Sequence, residues 1–426
     1  MSGSARARDV RTSQAAEFAL SMIHSSLFCR ARRGAAPALL AMAVGLLAGC
    51  AAVRPTLPAP VPGMFDDAHV APASEPLDPD DVLRLTPEMQ AYLDKNIEPM
   101  ARKRGVRAAI TEALYDRRKL QLEYDASTTR TAGEAFNARE GNCLSLVLMT
   151  GAFAKALNMK VTYQQVETDD MLSRSGDMYF YSGHVNLLLE SHYANTVGKY
   201  DSAGVYTIDF MPGEVALKAS PISEDTILAM FFNNRAAEAM VHGQLDDAYW
   251  RAREAIRRDP QFLSAYNTLA VVYLRRGDAV RAEQVLSYAL HAAPDSPQLL
   301  TNDLQALRTL GRTGEAEVVR AHLAAVEPTP PFFWYLQGQA ALRRGDFLAA
   351  RELFIKEIRR APDYHEFHYA LAVADFELDR LDEARSEMTL AMQDASKRTD
   401  HDLYAAKLDK LTAWRAANVH APTMLQ

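Results

Sequence analysis

The chain has 426 residues, of which 48% are hydrophobic and 24% charged, and 54 acidic side chains outnumber 47 basic ones. This length is too great for one ordinary domain, and the composition excludes a largely disordered chain. The net charge of −7 argues against a general nucleic-acid binder, which would carry an excess of basic residues.

The N-terminal segment has the pattern of a secretion signal. Arginines at positions 30, 32 and 33 precede an apolar run over residues 35–49, which ends just before Cys50. The run is too short to span a membrane comfortably, and its basic flank is typical of a signal peptide. A plain cleaved signal and a short buried helix are the two alternatives.

Residues 47–50, with the sequence LAGC, resemble the lipobox of bacterial lipoproteins. The resemblance implies that residues 1–49 are removed as a signal peptide and that Cys50 becomes a lipidated N-terminus, which binds the membrane. Ala51 resembles the pattern sorted to the outer membrane, so the implied location is the cell envelope, on the periplasmic face of that membrane. The proline-rich residues 50–80 are then predicted to be a tether.

The chain has three cysteines, Cys29, Cys50 and Cys143. If the first is removed with the signal and the second carries lipid, Cys143 is the one free thiol of the mature protein. A leftover cysteine in an oxidising compartment is either well buried or chemically used.

Residues 81–228 are predicted to form an α+β domain, because helical patterns precede a series of strand patterns. A helix-start signal, Thr-Pro-Glu, occurs at residues 86–88. Helical patterns follow over residues 104–120 and after Cys143. Strand patterns with β-branched or aromatic residues then cover residues 160–168, 184–190 and 205–210.

Three side chains of this domain have the types and the order that a cysteine hydrolase needs. Cys143 is predicted at a helix N-terminus, where unpaired backbone N–H groups favour a thiolate. His184 and Asp209 follow on successive strands, so the histidine could take the thiol proton and the carboxylate could orient the ring. The alternative is structural: a small apolar residue in a packed helix, a strand histidine and a turn carboxylate.

The segments REGNCLSLVLMTGAFAKALNMKV, SGHVNLLLE and YTIDFMP resemble the transglutaminase-like fold, which belongs to the papain-like cysteine enzymes. The resemblance implies Cys143 as nucleophile, His184 as general base and then acid, and Asp209 as orienting carboxylate. Gln164 and Gln165 are candidates for support of the oxyanion. Many members carry an aromatic residue beside the cysteine, and this chain has GNCLS instead. The chemistry therefore stays open among amide hydrolysis, acyl transfer to amines and an inactive binding module.

The C-terminal half is repetitive with a period of 34 residues. Glycines recur at 243, 277, 311 and 345, alanines at 248, 282, 316, 350 and 384, and prolines at 260, 294, 328 and 362. This pattern resembles the tetratricopeptide repeat and predicts five all-α repeats over residues 229–398, followed by a capping helix and tail over residues 399–426. The third repeat departs from the family with Asp303, where leucine is usual.

Such repeats stack into a solenoid whose concave groove usually receives a peptide or a helix of a protein partner. Carried over by that geometry, the groove candidates are Asn233, Asn267, Arg275, Tyr335 and Arg343. Each could equally be ordinary solvated surface.

Two function hypotheses follow. The first is an envelope lipoprotein with a cysteine hydrolase or acyltransferase acting on peptide or isopeptide amides, with the repeats recruiting a partner. The second is a catalytically silent adaptor lipoprotein that binds proteins through its repeats. No cofactor, metal or nucleic-acid site is predicted, because the chain lacks clustered ligand residues and phosphate-binding loops.

Overall fold

The computed structural model describes most of the chain after the predicted signal and lipidation segment. The described residues are 57, 60, 63–115, 119–120, 122–175, 178–191, 205–210, 218–395 and 398–418, with residues 115, 167–175, 178–182, 191 and 415–418 described in their backbone only. All of them belong to one compact unit spanning residues 55–426. The apolar run, Cys50 and Ala51 lie outside the described residues. No helix in the described ranges is long and apolar enough to cross a membrane.

Short helices open the N-terminal part. They are α1 (Pro79–Val82), α2 (Pro87–Tyr92), a π-helical turn (Leu93–Ile97), α3 (Glu98–Arg104) and α4 (Val106–Tyr115). The hydroxyl of Thr86 caps α2 by accepting a hydrogen bond from the N–H of Met89 at 3.3 Å. The predicted helix over 104–120 instead starts at Val106, because Gly105 has a φ of +87° and ends α3.

A two-residue parallel pair precedes the central helix. Strand β1 (Glu123–Tyr124) pairs with β2 (Glu140–Gly141), and α5 (Ala132–Ala138) lies between them in the chain. Helix α6 (Cys143–Ala156) follows directly and is buried along nearly its whole length. Because α6 is apolar on every side, it forms the centre of this domain.

A four-stranded sheet follows α6. Its strands are β3 (Met159–Ser175), β4 (Met178–Ser191), β5 (Val205–Ile208) and β6 (Ala219–Ile222), in the spatial order β5-β4-β3-β6 with antiparallel pairs throughout. The first three correspond to the three predicted strands. The sequence patterns missed β6, whose Pro221 is tolerated because the strand lies at the edge of the sheet.

Five helix pairs and a final helix make up the C-terminal part. The pairs are α7 (Glu224–Val241) with α8 (Leu245–Arg258), α9 (Leu263–Arg275) with α10 (Ala279–Leu290), α11 (Pro297–Thr309) with α12 (Thr313–Val326), α13 (Phe333–Arg343) with α14 (Phe347–Arg360), and α15 (His365–Glu377) with α16 (Leu381–Gln393); α17 (Arg398–Asn418) comes last. The four glycines of the 34-residue spacing have φ between +72° and +82°, and Asp379 in the fifth slot has +59°. The turn between the helices of each pair therefore uses the same left-handed residue.

The hydrophobic core is divided along the repeats. One cluster runs from Leu57 through the N-terminal helices and the sheet into the first repeats, ending at Ala306. Three separate clusters follow, around Leu307 in the third repeat, around Phe354 in the fourth and around Met388 in the fifth. The first cluster therefore ends within the third repeat, and the next boundary falls near Phe332, which has a φ of +62° and follows the sequence EPTPP.

The described part of the predicted tether is packed against the first two repeats. We call Leu57 together with residues 63–75 the strap. The side-chain amide of Gln261 both donates to and accepts from the backbone of Leu57, at 3.0 and 2.8 Å, and the hydroxyl of Tyr273 donates to the carbonyl of Met64 at 2.8 Å. Further hydrogen bonds join the strap to Asp247, Tyr249, Trp250 and Arg276. Apart from a single 3₁₀ turn at Asp67–His69, this segment forms no helix or strand, and several of its backbone polar groups are bound by the repeats.

Candidate functional site

Cys143 is the first residue of α6 and is only 7% exposed. Asn142 caps the helix by accepting a hydrogen bond from the N–H of Ser145 at 2.9 Å. Gly141 is the last residue of β2 and Asn142 is the N-cap of α6, so the strand leads directly into the helix. The predicted position of the thiol at a helix N-terminus is therefore what the structure has.

His184 lies on β4, is 1% exposed, and bonds to Asp209. The distance between His184 Nε2 and Asp209 Oδ1 is 2.6 Å. The second carboxylate oxygen of Asp209 accepts from the amide of Asn186 at 3.0 Å. Asp209 directly follows β5, which pairs with β4, so the sheet register brings the three side chains together. The carboxylate thus fixes the orientation of the imidazole.

The thiol of Cys143 is the other neighbour of the imidazole. Burial lowers the pKa of His184, but the hydrogen bond with Asp209, together with the hydrogen bond and charge of Cys143, outweighs it and raises the pKa to about 9. Nδ1 of His184 is buried and meets no hydrogen-bond partner of standard geometry among the described residues. The thiol is therefore close enough to raise the pKa of the ring, although the two groups form no hydrogen bond of standard geometry.

Tyr124 is a residue of this site that the sequence patterns missed. Its hydroxyl lies near the backbone N–H and the thiol of Cys143. Burial is the first cause that raises the pKa of Tyr124, and the charge of Cys143 adds to it, although 41% of the residue is exposed. The β1–β2 pair places Tyr124 here, and two residues give no detectable strand pattern.

The two glutamines proposed for the oxyanion differ in their placement. Gln164 pairs with Asn186 across β3 and β4, and the side chains of directly paired residues lie on one face of a sheet. Gln164 therefore shares the face of His184, and Gln165 points to the opposite face, where its amide lies 3.6 Å from the position of a Cβ on Gly183.

Four of the five predicted groove residues lie at least partly at the surface. Arg275 and Arg343 are exposed, Asn233 is half-buried, and Asn267 accepts a hydrogen bond from Asn302 on the next repeat at 2.8 Å.

Tyr335 is a correction to the predicted groove. It is 7% exposed and packs against Phe354 and Phe367, with ring centroids at 5.8 and 5.2 Å. The helical period alone did not show which way this aromatic side chain faces.

Among the described residues, no three His, Cys, Asp or Glu side chains are clustered as metal ligands. His184 and Cys143 form a pair with a single nearby carboxylate, and that set suits proton transfer to and from a thiol.

Two models of the tetratricopeptide repeat match the chain, at residues 239–307 and 335–396. The helix pairs are tetratricopeptide repeats. The matched segments leave out most of the third repeat, which departs from the family pattern at Asp303.

A curated relative shares this repeat. The TPR repeat-containing thioredoxin TTL4 of Arabidopsis thaliana is 38% identical over 78 residues, which are 18% of this chain and 11% of the thioredoxin. The chain therefore spans about a tenth of the length of that relative.

Solved structures of repeat proteins are also similar. TTC0263 of Thermus thermophilus is 21% identical with a TM-score of 0.28, covering 42% of this chain and 98% of the other. PilF of Pseudomonas aeruginosa is 19% identical with a TM-score of 0.28, covering 44% and 86%. YrrB, described as a TPR protein with an unusual peptide-binding site, is 17% identical with a TM-score of 0.23, covering 42% and 92%.

Proposed function

We propose that this protein is an adaptor of the cell envelope whose tetratricopeptide repeats bind a protein partner. The match of two repeat models within residues 239–396 is the observation that carries the proposal. Repeats of this kind expose a long surface on stacked helices, and such surfaces receive peptides or helices of other proteins. Arg275 and Arg343, exposed at the ends of first helices, are suited to contact the partner.

The membrane anchor of the adaptor is proposed to be a lipid on Cys50, at the periplasmic face of the outer membrane. The LAGC sequence supports this part of the proposal. Mass spectrometry of the N-terminal peptide of the membrane-extracted protein tests it. An acylated Cys50 is expected, and a peptide that begins elsewhere without lipid contradicts the anchor and leaves the binding function in place.

A second candidate function is a cysteine hydrolase or acyltransferase in a transglutaminase-like domain, acting on peptide or isopeptide amides. The 2.6 Å bond between His184 and Asp209 beside Cys143 favours it. The thiolate of Cys143 would attack the amide carbonyl, and the imidazolium of His184 would protonate the leaving amine. Water or a second amine would then release the acyl group from the thioester.

The hydroxyl of Tyr124 bears on this chemistry. An oxyanion formed at Cys143 is expected near the backbone N–H of that residue. The hydroxyl of Tyr124 lies near this N–H, so it either donates its own proton to the oxyanion or turns away when substrate enters.

One genetic comparison separates the two functions. In a strain that lacks the gene, Cys143→Ala and Arg343→Glu variants are expressed to equal levels. The adaptor function predicts that Arg343→Glu loses complementation and Cys143→Ala keeps it. Arg344→Glu, which makes the same charge change at the neighbouring exposed residue, is the matched control. Loss in Cys143→Ala alone supports the hydrolase and contradicts the adaptor.

A further inference from the structure

A groove lies in the second and third repeats, and its lining residues do not include Cys143. It has a volume of about 580 Å³ and is bounded by α10 and α12, with α11 at its base. Its wall residues include Glu283, Leu290, Asp303, Leu307, Glu315 and Val318. The groove thus combines carboxylates with aliphatic side chains.

Asp303 occupies the base of this groove. It is 6% exposed, and its Oδ1 atom has no hydrogen-bond partner among the described residues. Leucine is usual at this slot of the repeat, where it fills the space between helices. The shorter aspartate leaves that space open and places a carboxylate in it. A buried polar atom without a partner destabilises the fold.

The charges around Asp303 leave the groove negative. Arg312 is the nearby cation, and its guanidinium bonds to Glu315 at 2.7 Å and to Glu283 at 3.2 Å. Burial, followed by the charge of Glu283, raises the pKa of Asp303 to about 6, and Arg312 only partly opposes this. Three carboxylates therefore face one guanidinium that is already committed to two of them.

Aliphatic side chains line much of the rest of the groove, beside Ser287, His291 and Gly314. Leu290, Leu307 and Val319 form the walls, and Val318 is 70% exposed at the rim. Lysine and arginine side chains bury their methylene stems against such surfaces and keep the charged end for a carboxylate. The shape and the charge of this groove both match a side chain of that kind.

We propose that this groove binds a basic side chain, of a lysine or an arginine, presented by the protein partner, with its charged end bonded to Asp303. This proposal rests on the adaptor function. It names one subsite of the surface by which this protein binds its partner. It differs from the predicted concave groove, because α10 and α12 are the second helices of their repeats.

Binding of a single residue tests the proposal on the full mature chain. Nα-acetyl-lysine-N-methylamide is titrated into the protein and followed by NMR chemical shifts. Its uncharged isostere, Nα-acetyl-norleucine-N-methylamide, is titrated in parallel. The lysine compound is expected to bind and to shift resonances of α10 and α12, with the norleucine compound at least about tenfold weaker, as for loss of a charged hydrogen bond.

Two variants of Asp303 complete the test. Asp303→Asn keeps the shape and is expected to lose binding about tenfold or more, and Asp303→Leu restores the usual residue, fills the groove and is expected to abolish binding in a well-folded protein. Glu317→Gln is the matched control, because Glu317 is exposed on α12, pairs with Arg320 and does not line the groove.

Equal binding of lysine and norleucine compounds overturns the proposal, as does unchanged binding in Asp303→Asn. Displacement of the lysine compound by equimolar magnesium chloride points to a simple cation site and also overturns it. If partner binding is lost in Arg343→Glu but unchanged in both Asp303 variants, the adaptor function stands and the proposal for this subsite is overturned.

Discussion

His184 and Asp303 are both more than nine-tenths buried, yet they differ in the partners that surround their charged groups. The imidazole of His184 has Asp209, at 2.6 Å, and Cys143 as neighbours. These two groups raise the pKa of His184 to about 9, so the charged ring is favoured. Asp303 receives no hydrogen bond on Oδ1 within the described structure, and burial raises its pKa to about 6, so the charged form is less favoured than in water but still predominates at pH 7.

The difference indicates where each group finds its counter-charge. A buried ionisable group is tolerated when it is paired, and is otherwise driven toward its neutral form. The chain itself supplies the partner of His184, which suits chemistry within the domain. The partner of Asp303 is absent from the surrounding described helices, which suits binding from outside.

The largest expected effect concerns the thiol beside His184. Iodoacetamide alkylation of Cys143 at pH 7 is expected to slow by about 100-fold in His184→Ala, because the imidazole takes up the thiol proton and balances the thiolate. Mass spectrometry of the alkylated peptide measures the rate. His322→Ala, at an exposed histidine in the repeats, is the control. Equal rates in the wild type and His184→Ala would show that the pair does not assemble.

The next effect concerns stability at Asp303. Replacement by leucine is expected to raise the free energy of unfolding by about 1–3 kcal/mol, because an unpartnered buried carboxyl is exchanged for the residue that fills the space. Urea denaturation of the two proteins measures the change. A loss of stability would mean that Asp303 has a partner in the folded chain.

Removal of the carboxylate at Asp209 tests how far this partner raises the pKa of His184. In Asp209→Asn the pKa of His184 is expected to fall from about 9, because burial, the largest cause acting on it, lowers the pKa and then meets less opposition. NMR titration of the ring protons reports the value. Asn186→Ala, which removes the second partner of Asp209 at 3.0 Å, is expected to produce a smaller fall.

The smallest effect is a pair of pH windows in thermal stability. Both groups have folded-state pKa values above their ordinary values of 6.5 and 3.8, so each adds stability at low pH that is lost as pH rises. For Asp303 the loss falls between about pH 4 and 6, and for His184 between about pH 6.5 and 9. Melting temperatures measured across this range should lose the first step in Asp303→Asn and the second in His184→Gln. Persistence of either step in its variant would assign it to another group.

Sequence patterns anticipated those features that depend on spacing. The turns at Gly243, Gly277, Gly311 and Gly345 are fixed by a constant period, so the repeats could be predicted with their frame. The strands bearing His184 and preceding Asp209 could be predicted from composition. Their register then determines that the two side chains meet.

Other features depend on contacts between distant segments and left no local pattern. Tyr124 reaches Cys143 through a strand pair of two residues, and the strap meets residues some 200 positions away. Tyr335 faces the core because α14 and α15 cover it. Asp303 was visible as a departure from the repeat, but the open groove around it follows from the packing of three helices.

The strap also determines how the chain would respond to tension at its N-terminal end. The reciprocal hydrogen bonds between Leu57 and Gln261 would be the first described contacts to be loaded. Force would therefore pass directly to the start of α9 and then, through Met64 and Tyr273, to the end of that helix. The domain that contains Cys143 would bear no force until the strap detached from the repeats, so the repeats would protect this domain from tension.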